Sequence, residues 1–212
     1  MINAHIKIRE TNSQISQKIL KALSGEVDKY FQKAFHRCKA DIVSIVSSAI
    51  TNHTTYRSLI SGQLRKEFGL DSASSRLSEI LRFWENLEVT YTKPRIKSNE
   101  IIGSFKLSMI KSDYSDVLST SAAVLNTEKG SQLEWLKWLL LFGDKQIIKD
   151  YEIKFGSNPR SRTGEAVMVG KSGGRWGVPP AFAGTANKNW ITEAIDSVED
   201  QVFKLLEDSL RK

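Results

Sequence analysis

Apolar residues recur at helical spacing along the first quarter of the chain. Ser13 is placed to cap a helix with apolar positions at Ile15 and Ile19, and Gly25 is expected to weaken it. The periodicity resumes as one apolar stripe from about 26 to 50, which is typical of a helix with one buried face. At about 1.5 Å per residue this second helix would be about 40 Å long, more than a small domain needs for its own core. We therefore expect part of it to contact a partner.

The middle of the chain mixes helical spacing with strand-like alternation. Helices are predicted over 56–68 and 71–87, with Asp71 as the cap of the second. The most hydrophobic decapeptide, 133–142, predicts a short buried helix that Gly143 ends. Alternating apolar positions predict strands that begin near 89 and that cover 101–110, 123–125, 146–155 and 166–169.

The last third of the chain is rich in turn-forming residues before it becomes helical again. A hairpin-like connection is predicted over 156–164, a glycine- and proline-rich loop over 170–184, and a helix over 187–210. Strands and helices do not alternate along the chain. The pattern therefore favours an α+β fold with long N-terminal and C-terminal helices packed on a small antiparallel β-sheet with extended loops.

A length of 212 residues is that of a single domain. We predict one α+β domain over 1–212 with three parts. These are an N-terminal helical part (1–53), a mixed helix and strand part (54–186) with an extended arm at about 156–185, and a C-terminal helix (187–212).

Cysteine content and hydropathy limit where the protein works. The single cysteine, Cys38, excludes an internal disulfide framework and fits a reducing cytoplasm. The N-terminus lacks the apolar run of a signal peptide, and no stretch reaches the roughly 18 apolar residues of a membrane span. We expect a soluble protein that does not contact a membrane.

The residues that carry common catalytic or metal chemistry are not arranged for it. His5, His36 and His53 share no ligand spacing, and neither an HExxH nor a CxxC motif occurs. A phosphate-binding loop ending at Gly170-Lys171 would need a glycine where Glu165 stands, and no GxSxG elbow is present. We therefore expect a protein that is not an enzyme and that uses no metal and no cofactor.

Charge gives a weaker signal over the whole chain than it does locally. Lysine and arginine number 31 against 24 acidic residues, so the net charge of +7 favours polyanionic partners only mildly. Between 158 and 190, however, only Glu165 opposes the basic residues Arg160, Arg162, Lys171, Arg175 and Lys188.

Two tryptophans and two prolines lie within the same basic stretch. Trp176 and Trp190 could anchor an interface, stack on bases or cap the core beside the last helix, and the pattern leaves these open. Pro179 and Pro180 favour an extended segment, which suits an arm that docks on a neighbour.

An ordered series of segments resembles the neck and tail-completion proteins of tailed bacteriophages. The C-terminal segments are Ser161–Gly164, Val167–Val169, Trp176–Pro180, Phe182–Thr185 and Asn189–Thr192. The earlier ones are Ser58–Arg65, Trp135–Leu140 and Gly143-Asp144, so the resemblance extends from about 55 to 210. Glu193 departs from it, because a basic residue is expected there in the similar proteins.

The resemblance implies a non-enzymatic structural subunit of a virion, made in the host cytoplasm. Such a subunit assembles as a homo-oligomeric ring, six-fold by expectation although twelve copies stay open, at the neck or the head-proximal end of the tail. DNA passes through the lumen with weak contacts, and the other partners are neighbouring neck, portal-side or tail-tube proteins. Candidate subunit contacts are Trp176, Pro179, Pro180, Phe182 and Trp190. Candidate contacts to the lumen or to an acidic partner are Arg160, Arg162, Lys171 and Arg175.

A second hypothesis uses the same residues differently. The basic loop 158–190 would serve a stand-alone DNA- or RNA-binding protein, with the two tryptophans as stacking platforms. A third hypothesis, a nuclease with scattered acidic residues, finds no ligand cluster in the sequence.

Overall fold

The computed structural model describes residues 10–85, 88–108, 114–126 and 130–211. The first nine residues of the predicted N-terminal part lie outside the described residues. In chain order the elements are α1 (Asn12–Asn52), α2 (Thr54–Ser61), α3 (Gln63–Phe68), α4 (Ala73–Glu85), β1 (Glu88–Lys97), β2 (Glu100–Ser108), α5 (Ser115–Leu118), β3 (Leu125–Asn126), β4 (Gln132–Leu133), α6 (Trp135–Leu140), β5 (Gln146–Phe155), β6 (Ala166–Gly177), α7 (Trp190–Asp196) and α8 (Glu199–Arg211). Short 3-10 turns lie at Ser121–Ala123 and Pro180–Phe182.

The predicted α+β class is confirmed. A long N-terminal helix precedes the strands along the chain and a C-terminal helix follows them. The strands form small antiparallel sheets, in which β1 pairs with β2, β3 with β4 and β5 with β6. Each strand pairs with the next strand along the chain, which is why the sheets are antiparallel ribbons.

Glycine positions account for two differences from the predicted helices. α1 continues through Gly25, where the sequence predicted a weak point. The apolar stripe of the helix outweighs the propensity cost of a glycine, about 1 kcal/mol. The helix predicted over 56–68 is instead divided at Gly62 into α2 and α3. A Cβ at Gly62 would lie 2.7 Å from the Ser58 Cα, and the Ser58 hydroxyl accepts a hydrogen bond from the Leu64 amide at 3.1 Å.

The described contacts divide the chain into two compact units. Unit 1 contains residues 10–40, 88–108 and 204–211. Unit 2 contains residues 41–85, 114–126 and 130–203. The number of domains that fold independently stays a prediction.

The large buried side chains belong to unit 2. The largest fully buried ones are Ile42, Ile50, Leu59, Leu64, Leu70, Leu77, Ile80, Trp135, Leu136, Leu139 and Leu140. The helix predicted over 133–142 is thus buried as expected, although α6 spans only six residues. Its Trp135 indole N–H donates to the Ala122 carbonyl at 3.0 Å, so this polar atom is satisfied inside the core.

Unit 1 is organised around a buried carboxylate on α1. Asp28 accepts a hydrogen bond from the Tyr91 hydroxyl and lies 3.1 Å from the Lys93 ammonium. The ring of Tyr91 packs 6.4 Å from that of Phe31 and 6.3 Å from that of Phe35. β1 continues beyond Tyr91 to Lys97. It accommodates Pro94 through a shift of register between Thr92 and Arg95.

A buried amide fixes the start of α7 in unit 2. The Asn189 amide nitrogen donates to the Tyr114 hydroxyl at 2.7 Å and to the Thr185 carbonyl at 2.9 Å. Its oxygen accepts from the backbone amides of Ile191 at 3.0 Å and Thr192 at 3.3 Å. Burial raises the pKa of the Tyr114 hydroxyl, which keeps it protonated within this network. The helix predicted over 187–210 therefore begins at Trp190, and it is divided into α7 and α8.

Among the described residues, no helix combines the length and apolar character that crossing a membrane requires.

We expect Gly184→Ala to destabilise unit 2 by about 1–3 kcal/mol. A Cβ at this position would lie 2.5 Å from the Asn189 Cβ and 2.5 Å from the Leu139 carbonyl oxygen, so the backbone would have to move. Urea unfolding followed by circular dichroism measures the loss. Gly170→Ala is the matched control, since nothing lies within 4 Å of its added Cβ. Equal losses in both variants would contradict the close approach at Gly184 as the cause.

We expect the stability of unit 1 to decrease as the pH is lowered in the acid range, because Asp28 becomes protonated. The hydrogen bond from Tyr91 holds the pKa of the Asp28 carboxyl below its ordinary value of 3.8, with a further contribution from Lys93. The contribution of the ionised Asp28 carboxylate to the free energy of unfolding is therefore fully present above the ordinary pKa. It is lost as the pH falls through the lower pKa of the folded state. Thermal unfolding between about pH 5 and pH 2 should show a shallower decline for Asp28→Asn than for the wild type. Asp41→Asn, an exposed change on the same helix, is the control for the loss of one negative charge.

Candidate functional site

The basic stretch of the sequence folds largely as a ribbon of two strands. β5 and β6 pair from Gln146 opposite Gly177 to Phe155 opposite Ala166, and we call residues 146–177 the β5–β6 ribbon. The loop predicted over 170–184 is therefore wrong as far as Gly177. Gly170 and residues 175–177 pair with β5, whereas residues 171–174 form a bulge. The predicted extended arm at 156–185 therefore contains the connection and the second strand of a hairpin.

The connection between the two strands carries the first two candidate cations. The Gly156 amide donates to the Glu165 carbonyl at 2.7 Å, and the Asn158 side chain accepts from the Arg160 amide at 2.9 Å. These bonds fold the connection back on itself. The side chains of Arg160 and Arg162 are left exposed.

Two carboxylates of the ribbon, those of Glu165 and Glu152, form ion pairs within the chain. Glu165 lies 2.6 Å from a guanidinium nitrogen of Arg65 and 3.6 Å from the Lys66 ammonium, both on α3. Glu152 forms an ion pair with Lys171 across the ribbon. The charge of Lys171, one of the predicted contact residues, is thus largely neutralised within the chain.

Five exposed cations on the ribbon have no such partner. In the described part of the chain, none of Lys149, Lys154, Arg160, Arg162 and Arg175 forms an ion pair. Lys149 and Arg175 stand directly opposite each other in the paired strands. Like charges in that position repel each other and weaken the ribbon slightly.

A wide bulge lies beside this like-charged pair. The register shifts between Lys149 and Tyr151, so that residues 171–174 have no partner on β5. Asp150 adopts a left-handed backbone (φ 58°), and its carboxylate accepts from the Gly173 amide at 3.0 Å. A Cβ at Gly174 would lie 2.7 Å from the Tyr151 carbonyl oxygen, so the tight closure of the bulge requires glycine.

Apolar side chains on the ribbon remain partly uncovered. Phe155 is 55% exposed, and Tyr151, Ile153 and Met168 are half-buried. Since the described strands form a sheet of two, the outer edge of each has no strand beside it. An open edge offers unpaired backbone groups to another chain.

The candidate subunit contacts divide into buried and accessible residues. Trp176 is 7% exposed and Trp190 is 3% exposed, so both indoles belong to the core of unit 2. Of the other candidates, Pro179 and Phe182 are half-buried and Pro180 is exposed. The accessible candidates therefore lie on the short turn that follows β6.

The tryptophans are covered by aromatic rings from distant parts of the sequence. The ring of Phe68, at the end of α3, packs edge-on 5.8 Å from Trp176. The rings of Tyr56 and His53 lie 6.4 Å and 6.3 Å from Trp190. Of the three alternatives left open by the sequence, the structure gives both residues the core position.

A groove of about 720 Å³ separates the C-terminal end of α1 from α7. Inside it, the Nε2 atom of His53 lies 3.6 Å from a carboxylate oxygen of Glu193. The Nδ1 atom of His53 accepts a hydrogen bond from the Thr55 amide at 3.2 Å. The Nδ1 atom of His53 is thus bonded to the backbone, and its Nε2 atom faces the Glu193 carboxylate.

The sequence did not single out Lys149, Lys154 or the pairing of His53 with Glu193. The two lysines lie in a segment with strand-like alternation, so a prediction that β5 pairs with the basic stretch would have placed them on the same ribbon. His53 and Glu193 are 140 positions apart and share no spacing, and the sequence carries no signal that joins them.

No described cluster of three or more histidine, cysteine or acidic residues could hold a metal ion. Comparison of the chain with protein-family models, with curated proteins and with solved structures finds no match. The resemblance to phage neck and tail-completion proteins stays a prediction.

We expect Trp176→Ala to destabilise unit 2 by about 3–5 kcal/mol, because it leaves a cavity beside Phe68. Chemical unfolding monitored by fluorescence and circular dichroism measures this. Trp138→Ala is the matched control, because Trp138 is only half-buried in the same unit and should cost less. A stable Trp176→Ala protein with altered assembly would contradict the core assignment and restore the direct contact role.

Proposed function

We propose that the chain is a structural subunit of a tailed-phage virion. It assembles as a ring at the neck or the head-proximal end of the tail, and DNA passes through the lumen. The observation that carries this proposal is the β5–β6 ribbon, which combines open edges, uncovered apolar side chains and unpaired cations.

The open edges support self-association. A ribbon of two strands is marginally stable in water unless something covers it. In a closed ring, one edge of each copy meets the other edge of the next copy, so no edge stays open. Contacts through Phe155 would bury apolar surface at the same junction.

The cations support a polyanion in the lumen. Five unpaired basic side chains on one ribbon attract phosphates, whereas the mild net charge of the whole chain avoids tight binding everywhere. Arg160, Arg162 and Arg175 keep the role proposed from the sequence. Lys171 contributes less, because Glu152 neutralises it.

The resemblance adds a second line of support. Its C-terminal segments follow one another through the connection, β6, the 3-10 turn and the start of α7. The series therefore corresponds to one continuous stretch of structure, which includes the accessible candidates Pro179, Pro180 and Phe182.

The runner-up function is a stand-alone DNA- or RNA-binding protein that uses the same unpaired cations. Its proposed stacking platforms are the buried indoles of Trp176 and Trp190, which leaves electrostatic attraction as its main source of affinity. The two functions differ in whether assembly or nucleic-acid binding dominates.

Light scattering after gel filtration, at several protein concentrations and with duplex DNA in a parallel run, tests the proposal. A discrete ring-sized species that forms without DNA is expected. A monomer at every concentration that co-elutes with DNA and is released by salt would instead favour the runner-up.

We expect Phe155→Ser to raise the concentration needed for ring formation by about tenfold or more. The reason is the loss of about 1.5–3 kcal/mol of apolar burial at each junction. Phe203→Ser is the matched control, because Phe203 on α8 is 57% exposed, close to the exposure of Phe155. An equal effect of the two changes would contradict the ribbon as the subunit contact.

A further inference from the structure

The geometry points to the Lys149–Arg175 pair on the β5–β6 ribbon as the contact of this chain with the phosphate backbone of duplex DNA. The choice of DNA among polyanions rests on the proposed function. The location of the contact rests on the structure alone.

Two cations of the ribbon stand opposite each other. Side chains directly opposite in an antiparallel ribbon have Cβ atoms about 4.5–5.5 Å apart, so the charges of Lys149 and Arg175 repel each other. Both side chains are exposed, and neither forms an ion pair among the described residues. A phosphate between them would turn this repulsion into two charge-assisted hydrogen bonds.

The bulge at 171–174 lies beside the pair. Gly173 and Gly174 carry no side chain, and the bond from the Gly173 amide to Asp150 fixes the backbone at this point. Bulges of this kind commonly lie next to functional sites, where they redirect side chains. At Gly173 nothing lies within 4 Å of an added Cβ, so a phosphate backbone can approach the ribbon at this residue.

Three further cations without an ion pair among the described residues lie elsewhere on the ribbon. Lys154 lies five residues along β5 from Lys149, a distance of about 16 Å. Arg160 and Arg162 follow in the connection. Duplex DNA carries one charge per about 1.7 Å of its axis, so this spacing suits a polymer of phosphates better than a single small anion.

Lys171 provides an internal contrast. It lies in the same bulge, but its ammonium is paired with Glu152. It should therefore contribute little to phosphate binding, although its charge and exposure resemble those of Lys149.

The test measures binding of the full chain to a fluorescent 30-base-pair duplex by anisotropy, at NaCl concentrations from about 25 to 200 mM. Each lost phosphate contact lowers the slope of log affinity against log salt by about 0.9. The double variant Lys149→Gln/Arg175→Gln should therefore lower the slope by about two and weaken binding at low salt. Lys171→Gln should leave the slope nearly unchanged.

A second control separates position from net charge. Lys21→Gln/Lys39→Gln removes two exposed charges from α1 and should leave the slope near that of the wild type. A fall equal to that of the ribbon variant would overturn the inference. Absence of duplex binding at about 25 mM NaCl would overturn it as well. Binding of polyglutamate but not of duplex would also overturn it and would indicate an acidic protein partner.

Light scattering on the same variants separates this inference from the proposed function. If the ring forms normally and the ribbon variant binds DNA like the wild type, the inference is wrong and the proposed ring stands. A chain that never assembles, but loses salt-dependent binding in the ribbon variant, would remove the ring and leave the DNA contact.

Discussion

The side-chain amide of Asn189 uses both of its donors and both acceptor positions inside unit 2, so that no alternative rotamer satisfies its neighbours equally well. This constraint fixes the start of α7 and draws Tyr114 and Thr185 to the same point. Gly184 must be glycine because the backbone closes tightly around the amide. The positions of Trp190 and of Glu193 in the groove follow from where α7 begins.

Stability and interaction are assigned to different parts of unit 2. The helices supply most of the apolar core, to which the β5–β6 ribbon contributes Trp176, while the rest of the ribbon keeps open edges, exposed apolar side chains and cations without an ion pair. Two ion pairs from Glu165 to α3 anchor the connection of the ribbon to that core. The ribbon is thus attached to the core through Trp176 and through these ion pairs.

Periodicity alone predicted the long N-terminal helix, the helical C-terminus and the α+β class, because these depend on neighbouring residues. It failed where distant residues decide. The segment from 170 to 177 was interpreted as a loop, but its two ends pair with β5 on either side of a bulge at 171–174. Trp176 among cations suggested an interface, whereas Phe68, more than 100 positions earlier, covers it. The His53–Glu193 pair also depends on tertiary contacts that no local pattern encodes.

The like-charged Lys149–Arg175 pair has a consequence for free copies at high concentration. Open-edged ribbons with exposed aromatic side chains are templates for uncontrolled sheet growth and precipitation. An identical ribbon approaching this one meets cations of the same sign, and the repulsion is long-ranged at low ionic strength. The pair thus acts as a gatekeeper against aggregation. Neutralisation by an anion weakens that protection, so free copies become more prone to disordered sheet growth.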